Sequence, residues 1–142
     1  MIRLSTNNIV ENWDLIRFAA IKVAVIDQKF IPDYCRNLLI NLLTGNSQCW
    51  FYLTENRQIV NVTITRLQTD LGGIPHLLID CSYGFTGSND DQKAMWIETL
   101  LEFAENVGCD SIIAYTSNPV AVNAMKKMDM TELFKIYQRK VI

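Results

Sequence analysis

The sequence predicts a mixed α/β fold, with helices packed on a single sheet. Three observations predict it. Segments with apolar residues at helical spacing flank a block of β-forming residues between 49 and 83. A further helical segment joins that block to a short apolar run at 111–116, which makes these two strands parallel if they are neighbours. The predicted order is β-α-α-β-β-β-α-β-α-β, a mostly antiparallel sheet with one parallel pair.

Length and composition narrow the class of protein. A chain of 142 residues is expected to form one domain, and 49% apolar with 20% charged residues is typical of a globular protein. The net charge of −2 predicts no nucleic-acid partner. No apolar stretch approaches the roughly 20 residues of a membrane span, and the first residues show no signal-peptide pattern. We therefore expect a cytoplasmic protein that does not bind membranes.

The cysteines do not form a metal-binding pattern. All four stand far apart, and the single histidine, His76, completes no zinc spacing with them. We expect no metal and four reduced thiols that pack as small apolar groups, at Cys35, Cys49, Cys81 and Cys109.

The first third of the chain predicts a short strand and two helices. Met1–Ser5 alternates apolar and polar residues. Residues 9–28 carry apolar side chains around most of a helix and leave only a narrow polar strip. Such a helix is either covered on two sides by its own domain or used for self-association or a protein partner. A second helix begins near Pro32, which suits a first turn, and ends at Gly45.

The middle third predicts a three-stranded antiparallel meander. Cys49–Thr54 is rich in β-forming residues, and residues 59–67 alternate as a half-buried strand does. The short turn between them favours a hairpin, and the reversal at Leu71–Pro75 leads into a third strand, His76–Tyr83.

The last third predicts two helices and two strands. The helix that follows the loop Gly84–Asp90 has a clear apolar stripe, an N-cap at Asn89 or Asp90, and a C-terminal glycine, Gly108. The remaining predicted elements are a strand at Ser111–Thr116, a helix at Asn118–Met128 and a strand at Leu133–Val141.

The parallel pair predicts where a ligand binds. Ligands of such sheets lie beyond the carboxyl ends of parallel strands, beside a helix N-terminus. The candidate pocket is therefore formed by Tyr83–Asp91 and Thr116–Asn118. Asp80, near a strand end, is a candidate general base, and the alternative is a hydrogen-bonded or solvated carboxylate.

A Ser-His-Asp arrangement within the third meander strand is excluded by distance. His76, Asp80 and Ser82 share strand parity. Four residues along a strand span about 13 Å, so His76 and Asp80 cannot hydrogen-bond to each other. We expect His76 to be a turn residue beside Pro75.

Three segments, together with the element order, resemble the GNAT superfamily of acyl-CoA N-acetyltransferases over nearly the whole chain. Met1–Thr6 is similar to the first strand of that family, and Glu98–Asp110 to its third helix and the following turn. The most specific segment is Thr116–Ala121, TSNPVA, with Lys127 further on, which resembles the "N-P-x-A … Y-x-K-x-G-F" helix.

The resemblance implies an activity and a site. Acetyl-CoA would bind between the strands that end near Tyr83 and Thr116, and its acetyl group would pass to a small-molecule or protein amine. Asp80 would be the base and Tyr83 a substitute acid. The implied coenzyme-binding residues are Cys81, Ser82 and Tyr83, whose backbone groups would hold the pantetheine arm, then Gly87, Ser88, Asn89 and Lys93 near the pyrophosphate, and Asn118.

Two departures from the family pattern support an alternative. The pyrophosphate loop Q/R-x-x-G-x-G/A aligns its three defining positions with Ser88, Asp91 and Lys93, and none matches. Asp90 and Asp91 place negative charge where the pyrophosphate docks. Met125 occupies the position of the tyrosine that serves as general acid in the family, and a methionine side chain has no exchangeable proton. The alternative is a catalytically degenerate GNAT fold that serves as a non-enzymatic binding or structural module.

Overall fold

The computed structural model describes residues 1–141 and contains one five-stranded sheet with helices on both faces. The strands are β1 (Ile2–Arg3), β2 (Ser47–Leu53), β3 (Ile59–Thr69), β4 (Pro75–Gly84) and β5 (Ser111–Ala114). The α-helices are α1 (Thr6–Glu11), α2 (Trp13–Val23), α3 (Ile31–Thr44), α4 (Asp90–Asn106) and α5 (Pro119–Lys127), and a short 3-10 turn covers Gln28–Phe30.

The sheet confirms the predicted fold class. Its order is β1-β2-β3-β4-β5; the first four strands are antiparallel neighbours, and β5 lies parallel to β4. The parallel pair follows from the crossover through α4, since a strand that returns by way of a helix enters the sheet in the same direction.

Two apolar clusters hold the layers together. One joins α1, α2 and α3 to the sheet around the buried side chains of Ile16, Leu42 and Ile64. The other lies on the opposite face, where Leu100 of α4 packs against Leu77 of β4. Each of these side chains is almost fully removed from water, so both faces of the sheet contribute to the core.

A β-bulge changes the face that β4 presents to each cluster. Ile64 of β3 pairs with Cys81, whereas Thr65 pairs with Ile79, which leaves Asp80 as an extra residue. Because side chains alternate along a strand, one extra residue exchanges the two faces. Ile79 therefore packs in the α4 cluster, and Cys81 lies in the cluster beneath α1–α3.

The prediction of one continuous helix over residues 9–28 is wrong. Asn12 has φ −109° and ψ 15°, outside the helical region, and separates α1 from α2. Its side-chain amide donates to the carbonyl of Asn8 at 2.8 Å, a local bond that competes with a continuous helix. The second helix ends at Val23, because Ala24 is extended. A partner surface on this part of the chain stays a prediction.

The predicted strand Leu133–Val141 is also wrong. These residues form no regular secondary structure, and Tyr137 is 88% exposed. Instead of pairing with β5, the segment runs from Phe134, whose ring centroid lies 6.4 Å from that of Tyr115, to Lys140, which binds Asp27 at 3.2 Å. Alternating β-forming residues make a strand only where a partner edge supplies hydrogen bonds.

Two smaller expectations also change. The fifth strand ends at Ala114 rather than Thr116. His76 is the second residue of β4, not a turn residue, because the reversal is completed by Asp70–Ile74. None of the helices within residues 1–141 is long and apolar enough to cross a membrane.

Candidate functional site

The parallel strands pair over only four residues and then separate. His76–Ile79 lies beside Ser111–Ala114, and β5 ends there, whereas β4 continues to Gly84 with β3 as its neighbour. The other edge of β4, from Asp80 to Gly84, has no strand partner within residues 1–141. Backbone donors and acceptors on that edge are therefore available to a bound extended molecule.

Asp80, the candidate base, is the bulged residue at the point of separation. Its Oδ2 accepts a hydrogen bond from Nε of Arg66 at 2.7 Å, and its side chain is 26% exposed. The carboxylate is thus hydrogen-bonded, as the structural alternative for this residue requires. Only Oδ1 remains for a base role.

A cavity of about 200 Å³ opens beside the separated strands, on the α4 face. Met125 of α5 lines it, so the position that aligns with the family's tyrosine does face the candidate site. The polar lining comprises Tyr52, Asn61, Ser82, Thr86, Ser88, Gln92 and Lys93, together with the indole of Trp96.

The structure brings only part of the predicted coenzyme set to this cavity. Ser82, Ser88 and Lys93 line it. The side chains of Cys81 and Tyr83 lie on the opposite face because of the bulge at Asp80. Gly87, Asn89 and Asn118 lie in the adjoining loops and caps and do not line the cavity.

The loop that leads into α4 has backbone N–H groups without an acceptor, next to a cationic side chain. The backbone N–H groups of Thr86, Gly87 and Ser88 have no acceptor within the described chain. Lys93, half-buried, forms no ion pair there either and lines the same cavity as Ser88. Successive free amides beside an ammonium group favour an anion.

The start of α4 itself is less open to an anion. Asn89 Oδ1 accepts from the amide of Gln92 at 2.8 Å, and Gln92 Oε1 accepts from the amide of Asn89 at 3.0 Å. This capping box uses two amides that would otherwise face a ligand. Asp90 and Asp91 add negative charge in the first turn.

Tyr83 lies in an aromatic cluster on the α2 face. Its ring centroid is 5.9 Å from that of Phe18 and 5.1 Å from that of Phe85, both in edge-to-face geometry. Asn118 caps α5, since its Oδ1 accepts from the amide of Val120 at 3.0 Å. Its side-chain NH₂ has no hydrogen-bond acceptor within residues 1–141.

The cysteines offer no nucleophile. Burial raises the pKa of both Cys49 and Cys81 to about 12, so these thiols stay protonated near neutral pH. Burial also raises the pKa of Cys35 and Cys109. All four are free thiols, and residues 1–141 contain no cluster of three metal-ligating side chains.

Sequence reasoning missed a buried polar network. The alternation of residues 59–67 predicts only that Asn61 and Thr63 lie on the polar side of a half-buried strand, and it does not connect them to Trp96. In the structure α4 covers that side, Thr63 is fully buried, and it accepts a hydrogen bond from the indole of Trp96 at 2.8 Å. The alternation was the available signal, but it could not indicate what covered the polar face.

A second polar cluster closes the other end of the parallel pair. His76 Nδ1 lies 2.8 Å from Ser111 Oγ, and His76 Nε2 lies 3.1 Å from Asp70 Oδ2. A wider cavity of about 660 Å³ lies next to Ser111. The amides around it, including those of Gly108, Cys109 and Asp110, are already hydrogen-bonded, so no oxyanion site accompanies the serine.

The sequence matches no protein-family model and no curated protein sequence. Solved structures do match. A predicted acetyltransferase from Clostridium acetobutylicum, solved with acetyl-CoA, superposes with a TM-score of 0.73 at 12% identity, over 99% of this chain and 94% of that one. A ribosomal-protein-alanine N-acetyltransferase from Brucella melitensis gives 0.67 at 14% identity, over 98% and 97%.

A third matching structure is that of an acetyltransferase named for a different acceptor, an aminoglycoside. The aminoglycoside 6'-N-acetyltransferase from Acinetobacter baumannii gives a TM-score of 0.65 at 10% identity, over 99% of this chain and 97% of that one. The fold of this chain is that of the GNAT acetyltransferases, as the resemblance predicted. More particularly, its central strands separate after Ile79 and Ala114, its fourth helix begins with a capping box, and residues 129–141 form no strand.

Proposed function

We propose that this protein binds acetyl-CoA and transfers its acetyl group to an amine. The observation that carries the proposal is the separation of β4 from β5 after Ile79 and Ala114, next to the cavity beside α4. An extended pantetheine arm can hydrogen-bond to the open edge of β4 at Asp80–Gly84 as an added strand would. The free amides of Thr86–Ser88, with Lys93, would receive the phosphates.

The proposed reaction needs little covalent chemistry from the protein. The amine nitrogen attacks the thioester carbonyl, a C–N bond forms, the C–S bond breaks, and the amine proton passes to a base while the thiolate leaves. Asp80 Oδ1 and water are the proposed base groups, and Tyr83 is the proposed acid on the α2 face. Positioning of an already reactive thioester supplies most of the acceleration, because alignment alone can be worth about 7–11 kcal/mol.

A second candidate function is a GNAT fold that binds a ligand or partner without catalysis. The observation that favours it is the start of α4, where the Asn89–Gln92 capping box occupies two amides and Asp90 and Asp91 repel a phosphate. Met125 in the cavity removes the usual acid. A cytoplasmic location is proposed for either function.

Calorimetric titration with acetyl-CoA tests the proposal. We expect saturable binding with a Kd below about 1 mM, equivalent to more than about 4 kcal/mol. Lys93→Glu should weaken it at least about tenfold, since it replaces the only cation of the cavity lining with an anion. Lys29→Glu makes the same charge change at an exposed residue over the Phe30 ring and should leave the affinity unchanged.

Release of free thiol from acetyl-CoA, measured with a panel of amines, separates the two functions. Binding with amine-dependent thiol release supports the transferase. Binding without release from any amine supports the non-catalytic alternative, and the absence of binding at about 1 mM contradicts the coenzyme proposal itself.

A further inference from the structure

A chain of hydrogen bonds runs from α4 through β3 to the cavity, and its direction can be assigned. The indole Nε1–H of Trp96 can only donate, and it donates to Thr63 Oγ1 at 2.8 Å. The hydroxyl hydrogen of Thr63 is then directed to Asn61 Oδ1, at 2.6 Å. The first two links thus point from the core toward the start of β3.

The next link continues in the same direction. Since Asn61 Oδ1 accepts from Thr63, its Nδ2 is the group that faces Ser82, and it donates to Ser82 Oγ at 3.2 Å. The hydroxyl of Ser82 therefore accepts from Asn61 and keeps its own hydrogen for another acceptor. No such acceptor is hydrogen-bonded to it within residues 1–141, and both residues line the cavity.

Several other residues of the cavity lining are poor donors. Met125 and Met128 have no exchangeable hydrogen, and Tyr52 already directs its hydroxyl to Met95 Sδ at 3.5 Å. A chain in which every donor points the same way polarises its last member and strengthens its hydrogen bond. The terminal hydroxyl of Ser82 is thus the donor that this network presents to a ligand.

We propose that Ser82 donates a hydrogen bond to the coenzyme sulfur as the C–S bond breaks, and that Thr63 and Asn61 are positioning residues that aim it. The inference rests on the proposed acetyl transfer. The electron pair of the C–S bond goes to sulfur, the Ser82 hydrogen bond stabilises that charge, and the proposed acid, Tyr83, or a water molecule supplies the proton that completes the thiol. Ser82 keeps its own proton, since an alcohol is far less acidic than a thiol.

The thiol of bound CoA reports this contact directly. Ultraviolet absorbance of the thiolate, followed against pH in the protein complex, gives the pKa of the CoA sulfur. A hydrogen bond to the charged form lowers that pKa. Ser82→Ala should raise it by about one unit, and Ser82→Thr, which keeps a hydroxyl, should restore the wild-type value. The same Ser82→Ala change should lower kcat about 10- to 100-fold with KM little changed.

Thr63→Val tests the positioning role and has a matched control on the same strand. Thr65 is also fully buried and accepts from an indole, that of Trp50, at 3.0 Å. It donates to Gln48, so its network does not reach the cavity. Both Val variants leave an indole N–H unpaired and should lose similar stability, but only Thr63→Val should raise the pKa of bound CoA.

The outcomes distinguish this inference from the proposed function. Wild-type protein that binds CoA with the same thiol pKa as Ser82→Ala overturns the role of Ser82 and leaves the coenzyme site standing. Equal pKa changes in Thr63→Val and Thr65→Val overturn the directional chain. Failure of the wild type to bind CoA overturns both proposals. The inference is supported if Ser82→Ala and Thr63→Val each raise the thiol pKa of bound CoA, and the double variant raises it no further than Ser82→Ala alone.

Discussion

The two ends of the parallel strand pair are built in opposite ways. At the amino end, His76 binds Ser111, and the amide of Asp110 donates to the carbonyl of Pro75 at 2.8 Å, so the strands are held together by side chains and backbone. At the carboxyl end, the last pair is Ile79 with Ala114, the bulge at Asp80 follows directly, and the strands separate. The polar side chains satisfy each other at the amino end, where a cavity also lies beside Ser111, whereas at the carboxyl end the Ser82 hydroxyl keeps an unused hydrogen beside a cavity.

This contrast explains why one polar cluster is assigned to structure and the other to function. Asp70, His76 and Ser111 form a closed set, because Asp70 Oδ1 also accepts from the amides of Gly72 and Ile74, at 2.8 and 3.0 Å. The chain that ends at Ser82 is open, since its last hydroxyl hydrogen has no acceptor within the described residues. An unused donor beside a cavity is available to a ligand or to water, whereas a satisfied set contributes to stability.

Removing core packing at the amino end of the parallel pair, which we call the closed end, should have the largest effect on stability. Leu77 is fully buried between β4 and α4, so Leu77→Ala should lower the free energy of unfolding by about 2–5 kcal/mol through lost packing and a cavity. Leu133→Ala, at a side chain that is 74% exposed, should change it by less than about 0.5 kcal/mol. Urea unfolding measures both, and a similar loss in the two variants would contradict the assigned positions of core and surface.

His76→Ala should have an intermediate effect confined to stability. It removes two hydrogen bonds at the closed end, and we expect a loss of about 1–2 kcal/mol in the free energy of unfolding. The affinity for acetyl-CoA should remain at the wild-type value, because the cluster lies at the other end of the strands. Reduced coenzyme affinity in a folded His76→Ala protein would show that the two ends are coupled.

Replacing the two carboxylates at the start of α4 with neutral amides should lower the stability of the fold and raise its affinity for acetyl-CoA. Asp90→Asn with Asp91→Asn removes carboxylates that favour a helix N-terminus, so stability should fall by about 0.3–1 kcal/mol for each change. The affinity for acetyl-CoA should rise a few-fold, because less negative charge faces the phosphates. Glu102→Gln with Glu105→Gln, at the other end of α4, is the control for net charge and should leave the affinity unchanged.

Removing the charge of Asp70 should have the smallest effect, a pH-dependent loss of stability. The hydrogen bond from His76, followed by those from backbone amides, lowers the pKa of Asp70 below its ordinary 3.8. A carboxyl whose pKa is lower in the folded state stabilises the fold above the unfolded pKa and loses that contribution as pH falls through the folded value. Asp70→Asn should therefore be less stable than wild type at pH 6, with the difference shrinking below about pH 4. A difference that is constant from pH 6 to pH 3 would contradict the assignment.

Much of the fold was predictable from local patterns. The alternation of residues 59–67 predicted a strand, and Pro32 and Gly45 predicted the limits of a helix, because these signals act within a few residues. The break at Asn12 was missed, since one local side-chain bond interrupted an otherwise helical pattern. The strand expected at Leu133–Val141 depended on a partner edge that no local pattern describes.

Part of the predicted pocket coincides with a cavity, since Gly84, Thr86 and Ser88 line it, whereas Thr116–Asn118 does not. Position followed from the crossover rule, and Ser82, Ser88 and Lys93 do line the cavity. Cys81 and Tyr83 were expected to contribute backbone groups to the coenzyme site, and that stays a prediction; the bulge turns their side chains to the other face. Whether residues 80–93 hold a coenzyme stays a prediction that the binding measurements address.

By itself, the amino-acid sequence determined the fold class, the strand order of the meander and the crossover that makes one pair parallel, because periodicity, caps and turns are encoded by neighbours along the chain. Only the tertiary structure decided that the polar side of β3 would be buried under α4 and end in a free hydroxyl at Ser82. That outcome depends on contacts between residues far apart in sequence, and one extra residue in β4 was enough to change which side chains meet.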